Sequence, residues 1–303
     1  MSMKKVCTAC NTELDIDKFS KLQWKLPDCG IGRRCKECVA QNRPNGTAHL
    51  VEMTKRYSPS ITHNEDVLFS NGLQSATGEC QVCFLELSSN REETRINTCC
   101  AKPICNGCSY SAYLVNMNFR CAFCRTPLTD NPTENARMLQ ERVDAGDPSA
   151  MTFLARSYKH GRGVAQSDKK HMFLLYKAVE QGSIDAHEMI GMAYTTGEGV
   201  EQDSIKAAYH FGEAAMAGHA NARHNLGVSE TNMGNYTQGL RHFKISAQMG
   251  FEPSLHSIRR LLSSGLATKE DYSRALVEYK AATARTDSDQ RRRARNVERS
   301  PHE

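Results

Sequence analysis

The chain has 303 residues, of which 39% are apolar, 24% charged and 7% aromatic. This length predicts about two domains, and the shortage of aromatic side chains favours several small or helical units over one broad core. No apolar run approaches the roughly 20 residues that cross a bilayer, and the polar start lacks a signal-peptide pattern, so we predict neither a membrane nor a secreted protein. The net charge of +5 is concentrated in residues 1–60, which only weakly indicates an acidic partner and makes nucleic-acid binding an unfavoured interpretation.

All 13 cysteines fall between Cys7 and Cys124, and most of them form Cys-x-x-Cys pairs. An odd number of cysteines without a secretion signal argues against a disulfide framework, and the paired spacing indicates metal binding. Zinc suits such pairs because two intervening residues let both thiolates reach one tetrahedral ion at about 2.3 Å. Five cysteines lie in residues 1–45 and eight in residues 75–130, so the cysteine-free stretch 46–74 is predicted to link two zinc-binding modules.

The N-terminal cysteines predict one zinc site. Cys7, Cys10, Cys35 and Cys38 form two pairs that together close a tetrahedral site and leave Cys29 spare; a rival assignment places Cys29 in the site and frees another ligand. The stretches 19–24 and 33–39 resemble the Stc-type zinc domain of a heterochromatin adaptor. That resemblance implies a module that contacts other proteins.

The eight remaining cysteines form four consecutive pairs: Cys80 and Cys83, Cys99 and Cys100, Cys105 and Cys108, and Cys121 and Cys124. Eight ligands suit two zinc ions, and cysteine must fill every position because residues 64–159 contain no histidine. The order of the pairs resembles the RING finger, a cross-braced domain. The resemblance implies that the first and third pairs hold one ion and the second and fourth pairs the other. The adjacency of Cys99 and Cys100, and Ala122 in place of a common proline, depart from the family pattern.

Two further residues extend the RING resemblance. Val82 stands just before the second cysteine of the first pair, where RING domains place an aliphatic contact for a ubiquitin-conjugating enzyme. Arg125 directly follows the last cysteine, at the position of the linchpin cation that binds both the conjugating enzyme and its ubiquitin. The resemblance therefore implies a ubiquitin-protein transferase without a nucleophile of its own, which acts by positioning its two partners.

Residues 131–285 contain an internal repeat. Gly146, Gly182, Gly218 and Gly250 recur at intervals of 36, 36 and 32 residues. A period of about 30 to 40 residues predicts an α-solenoid, in which each helical hairpin buries its apolar face against its neighbours. We expect helices over 149–160 and 167–181 in the first unit and over 185–195 and 204–217 in the second. The remaining expectations are a third unit with a turn at 233–236, a degenerate fourth unit over 253–282 and a half-unit at 135–146 that starts the stack.

The repeats resemble the Sel-like family, relatives of the tetratricopeptide repeat. The matching segments are 154–164, 178–182, 192–200 and 214–218, which include the turns Gly161-x-Gly163-Val164 and Gly197-x-Gly199-Val200. The resemblance implies a scaffold that binds a protein substrate and performs no chemistry. We expect five histidines of this region to be packed or surface residues and not metal ligands; they are His171, His187, His210, His224 and His242.

The predicted fold is multidomain. Small zinc-stabilised α+β modules, namely an N-terminal zinc module (1–45) and a RING cross-brace (75–130), precede an all-α helical-hairpin solenoid (131–285) and a basic, disordered tail (286–303). We predict three zinc ions per chain, a RING-type ubiquitin ligase whose repeats recruit the substrate, and a cytoplasmic and/or nuclear location. The alternative is a non-catalytic zinc-binding adaptor in which every module docks a protein.

Overall fold

A computed structural model describes residues 4–6, 13–15, 68–69, 78–90, 93–115 and 120–299. The chain divides into two compact units, residues 1–58 and 59–303. In the first unit, strands β1 (Lys4–Val6) and β2 (Glu13–Asp15) pair antiparallel. The predicted N-terminal zinc ligands lie outside the described residues; they are Cys7, Cys10, Cys35 and Cys38, together with their alternative Cys29. Of the predicted linker, the described residues include only Leu68 and Phe69.

Within the second unit, residues 78–130 form a small module, here called the cysteine module. Strands β3 (Thr94–Asn97) and β4 (Lys102–Cys105) make an antiparallel hairpin, and helix α1 (Asn106–Val115) follows β4 directly. The apolar core of the module consists mainly of Leu87, Ile104 and the cysteines around them. So few apolar side chains stabilise a domain only weakly, and the module therefore needs further cross-links.

Nine helices form the repeat array of residues 132–286. In chain order they are α2 (Pro132–Asp144), α3 (Pro148–His160), α4 (Asp168–Glu180), α5 (Ile184–Thr196), α6 (Ser204–Met216), α7 (Ala220–Asn232), α8 (Tyr236–Gln248), α9 (Glu252–Ser263) and α10 (Lys269–Thr286). Consecutive helices pack as hairpins, and α10 also packs against α8. The predicted solenoid is confirmed, and the helices of its first two units end within one residue of their predicted bounds. No helix in the described part of the chain is long and apolar enough to span a bilayer.

Local signals set these helix ends. Asp147, Ser183 and Asp203 precede α3, α5 and α6, and the side chain of each accepts hydrogen bonds from backbone N–H groups of the first turn. Gly161 and Gly197 end α3 and α5 with φ angles of 67° and 76°, in the left-handed region that glycine enters without steric cost. Because each signal acts within a few residues, the helix boundaries were predictable from the sequence.

The second glycine of each Gly-x-Gly turn locks neighbouring units together. A Cβ atom on Gly163 would lie 1.9 Å from the carbonyl oxygen of Pro132, and one on Gly199 would lie 2.8 Å from the Cβ of Asp168. Pro132 and Asp168 begin α2 and α4, so each turn touches the start of a helix in the preceding unit. Only glycine permits this close approach.

Gly163→Ala is expected to lower the free energy of unfolding of the repeat array by about 3 kcal/mol, since the new methyl group meets backbone and φ is unfavourable for alanine. Gly161→Ala is the matched control, because its φ is also positive but its nearest new contact would be 3.7 Å away. The control should cost about 1 kcal/mol. Urea unfolding followed by circular dichroism measures both values, and equal losses would contradict the interlocking role of Gly163.

The core of the array combines small residues with rings. Ala150, Ala186 and Ala222 are fully buried near the starts of α3, α5 and α7. The ring of Phe211 fills the space that Gly191 leaves, with the nearest ring carbon 2.6 Å from where a Cβ would stand. The close packing explains why small residues recur at one position in each repeat.

The five array histidines named above contact neighbouring side chains or backbone. His171, His210 and His242 are at most 2% exposed. The Nδ1 atoms of His187 and His210 lie 3.1 Å apart, and Nδ1 of His224 lies 2.9 Å from the Ser254 hydroxyl oxygen. No metal-binding group of side chains in the described residues includes any of them.

The prediction that the tail is disordered is wrong for residues 289–299. These residues form helix α11 (Asp289–Arg299), which packs against α1 of the cysteine module. Arg291 is 1% exposed, and a Cβ on Gly107 of α1 would lie 2.7 Å from the Arg291 backbone nitrogen. Composition predicted disorder because it treats a run of arginines as solvated, whereas tertiary contacts bury one of them.

Candidate metal centres

The first candidate metal centre, called the first cluster, joins the first and third cysteine pairs. Cys80 and Cys83 flank a tight turn, Cys105 ends β4, and Cys108 lies in the first turn of α1. Their Sγ atoms all lie within 4.8 Å of one another, and all but the half-buried Cys83 are buried. A turn, a strand end and a helix start thus direct four sulfurs to one point.

The second cluster joins the second and fourth pairs. Cys99 and Cys100 lie in the turn between β3 and β4, Cys121 and Cys124 flank another tight turn, and the four Sγ atoms again lie within 4.8 Å of one another. Ala101 closes the β-turn with a φ of 53°. The adjacent cysteines reach different partners, since Cys99 Sγ lies 3.3 Å from Cys124 Sγ and Cys100 Sγ lies 3.7 Å from Cys121 Sγ. Adjacency therefore does not prevent a four-sulfur cluster, and the interleaved grouping is the one that the RING resemblance implies.

The two tight turns share one backbone geometry. The N–H of Phe84 donates to the carbonyl oxygen of Cys80 at 2.7 Å, and the N–H of Arg125 donates to that of Cys121 at 3.1 Å. Phe84 and Arg125, each directly after the second cysteine of its pair, have φ angles of 56° and 62°. Left-handed backbone costs a non-glycine residue roughly 1–2 kcal/mol, so other interactions must hold both turns closed.

The sulfur geometry fits tetrahedral zinc. A Zn–S bond of about 2.3 Å separates the sulfurs of a tetrahedral site by about 3.8 Å. The Sγ atoms of Cys83 and Cys105 are 3.8 Å apart, and the two separations in the second cluster are 3.7 and 3.3 Å. All eight cysteines are free thiols, and a set of four soft sulfur donors favours zinc over magnesium or calcium.

The charge balance of the clusters also favours a cation. Burial raises the pKa of Cys99 and of Cys108, and hydrogen bonds and charges of neighbouring cysteines raise both further. Burial alone would raise the pKa of Cys80 and of Cys124 as well. Hydrogen bonds from backbone N–H groups outweigh burial at Cys80 and lower its pKa to about 7. The hydroxyl and backbone of Thr126 outweigh burial at Cys124 and lower its pKa to about 6. Full deprotonation of either cluster near neutral pH therefore requires a bound cation.

Both surface residues singled out in the sequence lie at these turns. Val82, inside the first turn, is 45% exposed, and Arg125, at the end of the second, is also exposed. Phe84, in the same turn as Val82, is 73% exposed and was missed by the sequence analysis. Its only sequence signal was its place after the second cysteine, equivalent to that of Arg125. An exposed valine and phenylalanine in one turn form an apolar patch suited to a protein contact.

Helix α11 contributes a contact that no sequence signal indicated. The guanidinium of Arg291 donates to the carbonyl oxygens of Glu86 and Leu85 at 2.7 and 3.3 Å. One of its nitrogens also lies 3.7 Å from the Sγ of Cys83. The C-terminal helix thus holds the segment that follows the first tight turn, although it lies about 200 residues away in sequence.

A groove of about 1180 Å³ lies between the cysteine module and the repeat array. The first residues of α3, α5, α7 and α9 line one wall, and residues of β3 and β4 line the other. Phe153, Met189 and Phe251 supply apolar surface, whereas Arg156 and Lys280 supply positive charge. The groove is larger than the usual pockets for small ligands, and its mixed lining suits a peptide segment.

Comparison with known proteins concerns the repeats. The Sel1 repeat family matches residues 148–183 and 184–219, so the chain contains two Sel1 repeats. Among solved structures, c5321, a protective antigen of uropathogenic Escherichia coli displaying an SLR fold, is 26% identical with a TM-score of 0.43; the match covers 50% of this chain and 33% of that one. A Sel1 repeat protein from Oxalobacter formigenes is 20% identical with a TM-score of 0.46, covering 65% of this chain and 87% of its own.

The chain therefore spans about a third of the length of the E. coli antigen. No curated protein matches the chain. Arrays of stacked helical hairpins such as Sel1 repeats form extended surfaces of the kind that bind proteins. The predicted Sel-like repeats are confirmed over residues 148–219.

Proposed function

We propose that this protein is a zinc-binding, RING-type ubiquitin ligase whose repeats recruit the substrate. The observation that carries the proposal is the interleaved grouping of the eight cysteines into two four-sulfur clusters, with Val82 and Arg125 exposed on the turns that hold the outer pairs. Ubiquitin and its conjugating enzymes act in the cytoplasm and nucleus, which is where the proposal locates the protein.

In this proposal zinc has a structural role. The first and second clusters each hold one ion, and the N-terminal cysteines Cys7, Cys10, Cys35 and Cys38 hold a third. Bound zinc keeps the thiolates deprotonated and cross-links segments that the small apolar core cannot hold. It has no part in the transfer chemistry.

The chain acts on its partners by positioning them. Val82 and Phe84 offer an apolar patch to a ubiquitin-conjugating enzyme, and the Arg125 guanidinium supplies several donors that bind the enzyme and its ubiquitin together. Holding the thioester in one orientation toward a substrate lysine accelerates transfer by reducing the entropy lost in the reaction. The groove beside the cysteine module places a bound substrate segment within the same unit of the protein.

A second function, a non-catalytic adaptor, is favoured by the repeat match itself. Sel1 repeats bind proteins and perform no chemistry, and the apolar patch of Val82 and Phe84 serves equally well as a docking surface. The two functions differ in whether a conjugating enzyme transfers ubiquitin faster when the protein is present.

Autoubiquitination across a panel of conjugating enzymes tests the proposal. We expect Val82→Arg to slow chain formation at least about tenfold, because it places a charge in an apolar contact. Arg125→Gly should give a similar loss while relieving the left-handed strain at φ 62°, so the module stays folded. Ile205→Arg is the matched control, since Ile205 is a 66% exposed residue of the repeat array.

Ubiquitin chains made by the wild type and by Ile205→Arg, but not by the other two variants, would support the ligase. If zinc-loaded protein is inactive with every conjugating enzyme, or if Val82→Arg and Arg125→Gly leave the rate unchanged, the ligase proposal fails and the adaptor is favoured.

A further inference from the structure

Leu68 and Phe69 pack against helices of the repeat array that lie more than 150 residues later in the sequence. Leu68 is 9% exposed, and its carbonyl oxygen accepts a hydrogen bond of 2.6 Å from the Arg223 guanidinium. Phe69 lies against α8, where its ring faces His242 and Arg241. The third helical hairpin, α7–α8, thus holds a dipeptide from the segment that precedes the cysteine module.

Arg223 is the polar anchor of this contact. It is fully buried in α7 and donates to the carbonyl oxygen of Ala215, at 2.8 Å, as well as to that of Leu68. Burial lowers its pKa to about 10, which leaves it protonated at neutral pH. A buried guanidinium aimed at a main-chain carbonyl recognises the backbone of a peptide, whatever side chain that residue carries.

The aromatic anchor is a slot between two side chains of α8. The guanidinium carbon of Arg241 lies 3.7 Å from the centre of the Phe69 ring, and the His242 ring centre lies 4.6 Å from it with an interplanar angle of 32°. Arg241 is exposed and Phe69 is only half-buried, so an aromatic side chain can enter from the surface without opening the core. Cation–π contact and stacking select for an aromatic ring at this position.

The charge of the segment that precedes Leu68 is opposite to that of the α7–α8 site. The residues just before the dipeptide include Glu65 and Asp66, whereas Arg223 and Arg241 bring two positive charges to the site. We therefore expect acidic residues that precede the dipeptide to strengthen recognition of the main-chain carbonyl and the aromatic ring. None of these three elements is peculiar to this chain's own segment.

We propose that α7–α8 is a peptide-binding site, filled in cis by Leu68-Phe69, for partner segments in which acidic residues precede Leu-Phe. A partner segment of this chemistry displaces the chain's own segment and occupies the Arg241–His242 slot. This inference does not depend on the ligase proposal, because peptide binding is measured without ubiquitin or zinc chemistry.

The chain's own Leu68-Phe69 segment competes with a free peptide, and this competition determines how much the peptide's affinity is reduced. A tethered segment acts at an effective concentration on the order of millimolar, so a free peptide that binds the empty site with a dissociation constant of about 0.1 mM binds the filled site about tenfold more weakly. Weakening the cis contact should therefore strengthen binding of the same peptide in trans.

The test uses the full chain and a fluorescein-labelled synthetic peptide with the sequence of residues 63–73. Phe69→Leu keeps an apolar side chain but removes the ring, and we expect it to bind the peptide about tenfold more tightly than the wild type by fluorescence anisotropy. Adding Arg241→Ala to Phe69→Leu should weaken binding about tenfold. Adding Arg259→Ala, an exposed arginine of α9, is the matched control and should change nothing.

Equal peptide affinity of the wild type and Phe69→Leu would overturn the proposal. Undiminished peptide binding by the protein that carries both Phe69→Leu and Arg241→Ala would also overturn the proposal. The same holds if Phe69→Leu binds a peptide that has alanine in place of phenylalanine just as tightly. If Phe69→Leu loses helical circular dichroism, the ring is a core residue of the array and the exchangeable site is likewise disproved.

Discussion

Cys105→Ser is expected to remove one equivalent of zinc and unfold the cysteine module while the repeats stay helical. Cys105 is 1% exposed, and its Sγ lies 3.8 Å from that of Cys83. A serine oxygen is a poor, short replacement for this thiolate. Structural zinc binds with an apparent free energy of about 10–16 kcal/mol, which exceeds the stability that so small an apolar core supplies. Metal analysis and near- and far-ultraviolet circular dichroism measure the two effects separately.

Cys29→Ser is the matched control, because Cys29 is the cysteine predicted to be spare. It should keep all bound zinc; loss of one equivalent would instead support the rival assignment of the N-terminal site. If Cys105→Ser itself leaves metal content and both dichroism spectra unchanged, the ligand assignment of the first cluster is wrong.

The same variant should loosen the C-terminal helix. Arg291 of α11 is held by the carbonyl oxygens of Leu85 and Glu86, which directly follow the first tight turn. Once that turn opens, the buried guanidinium loses these acceptors. Amide hydrogen exchange over residues 289–296 is therefore expected to accelerate in Cys105→Ser, whereas the helices of the first two repeats stay protected.

Mild acid is expected to destabilise the repeat array through its buried histidines. Burial lowers the pKa of His210 and of His242 to about 3, with repulsion from His187 adding to the shift at His210, and burial lowers that of His224 to about 4. Because these values lie below the ordinary histidine pKa of 6.5, the unfolded chain binds more protons than the folded chain as pH falls from 6.5 toward 4. Each histidine then removes up to about 1.4 kcal/mol of unfolding free energy per pH unit.

His210→Gln isolates one of these contributions. The variant should reduce the pH slope of the unfolding free energy by about 1.4 kcal/mol per unit between about pH 6 and pH 4, because glutamine does not titrate. Urea unfolding monitored by far-ultraviolet circular dichroism at several pH values gives the slope. His256→Gln is the matched control, since His256 is exposed on α9, and its slope should equal that of the wild type. An unchanged slope in His210→Gln would refute the buried, neutral state of His210.

The repeat architecture was predictable because its signals are local and recur. Asp147 and Ser183 cap helices, Gly161 and Gly197 end them, and each acts on backbone groups a few residues away. Repetition at 36 residues then reveals the stacking, since each unit packs on a copy of itself. The cysteine pairs are likewise local, and the resemblance of their order to the RING finger implied which of them come together.

Other features were decided only by tertiary structure. Arg291 and Arg223 look like ordinary surface arginines in the sequence, yet both are buried and donate to carbonyl oxygens of residues about 205 and 155 positions away. The tail became helix α11 because it packs on α1, where Gly107 leaves room for it. A main-chain carbonyl has no sequence signature, so a side chain that binds one across the fold cannot be identified from residue types alone. The sequence by itself therefore determines the helix caps and the repeat spacing, whereas these long-range contacts form only once the helices have packed.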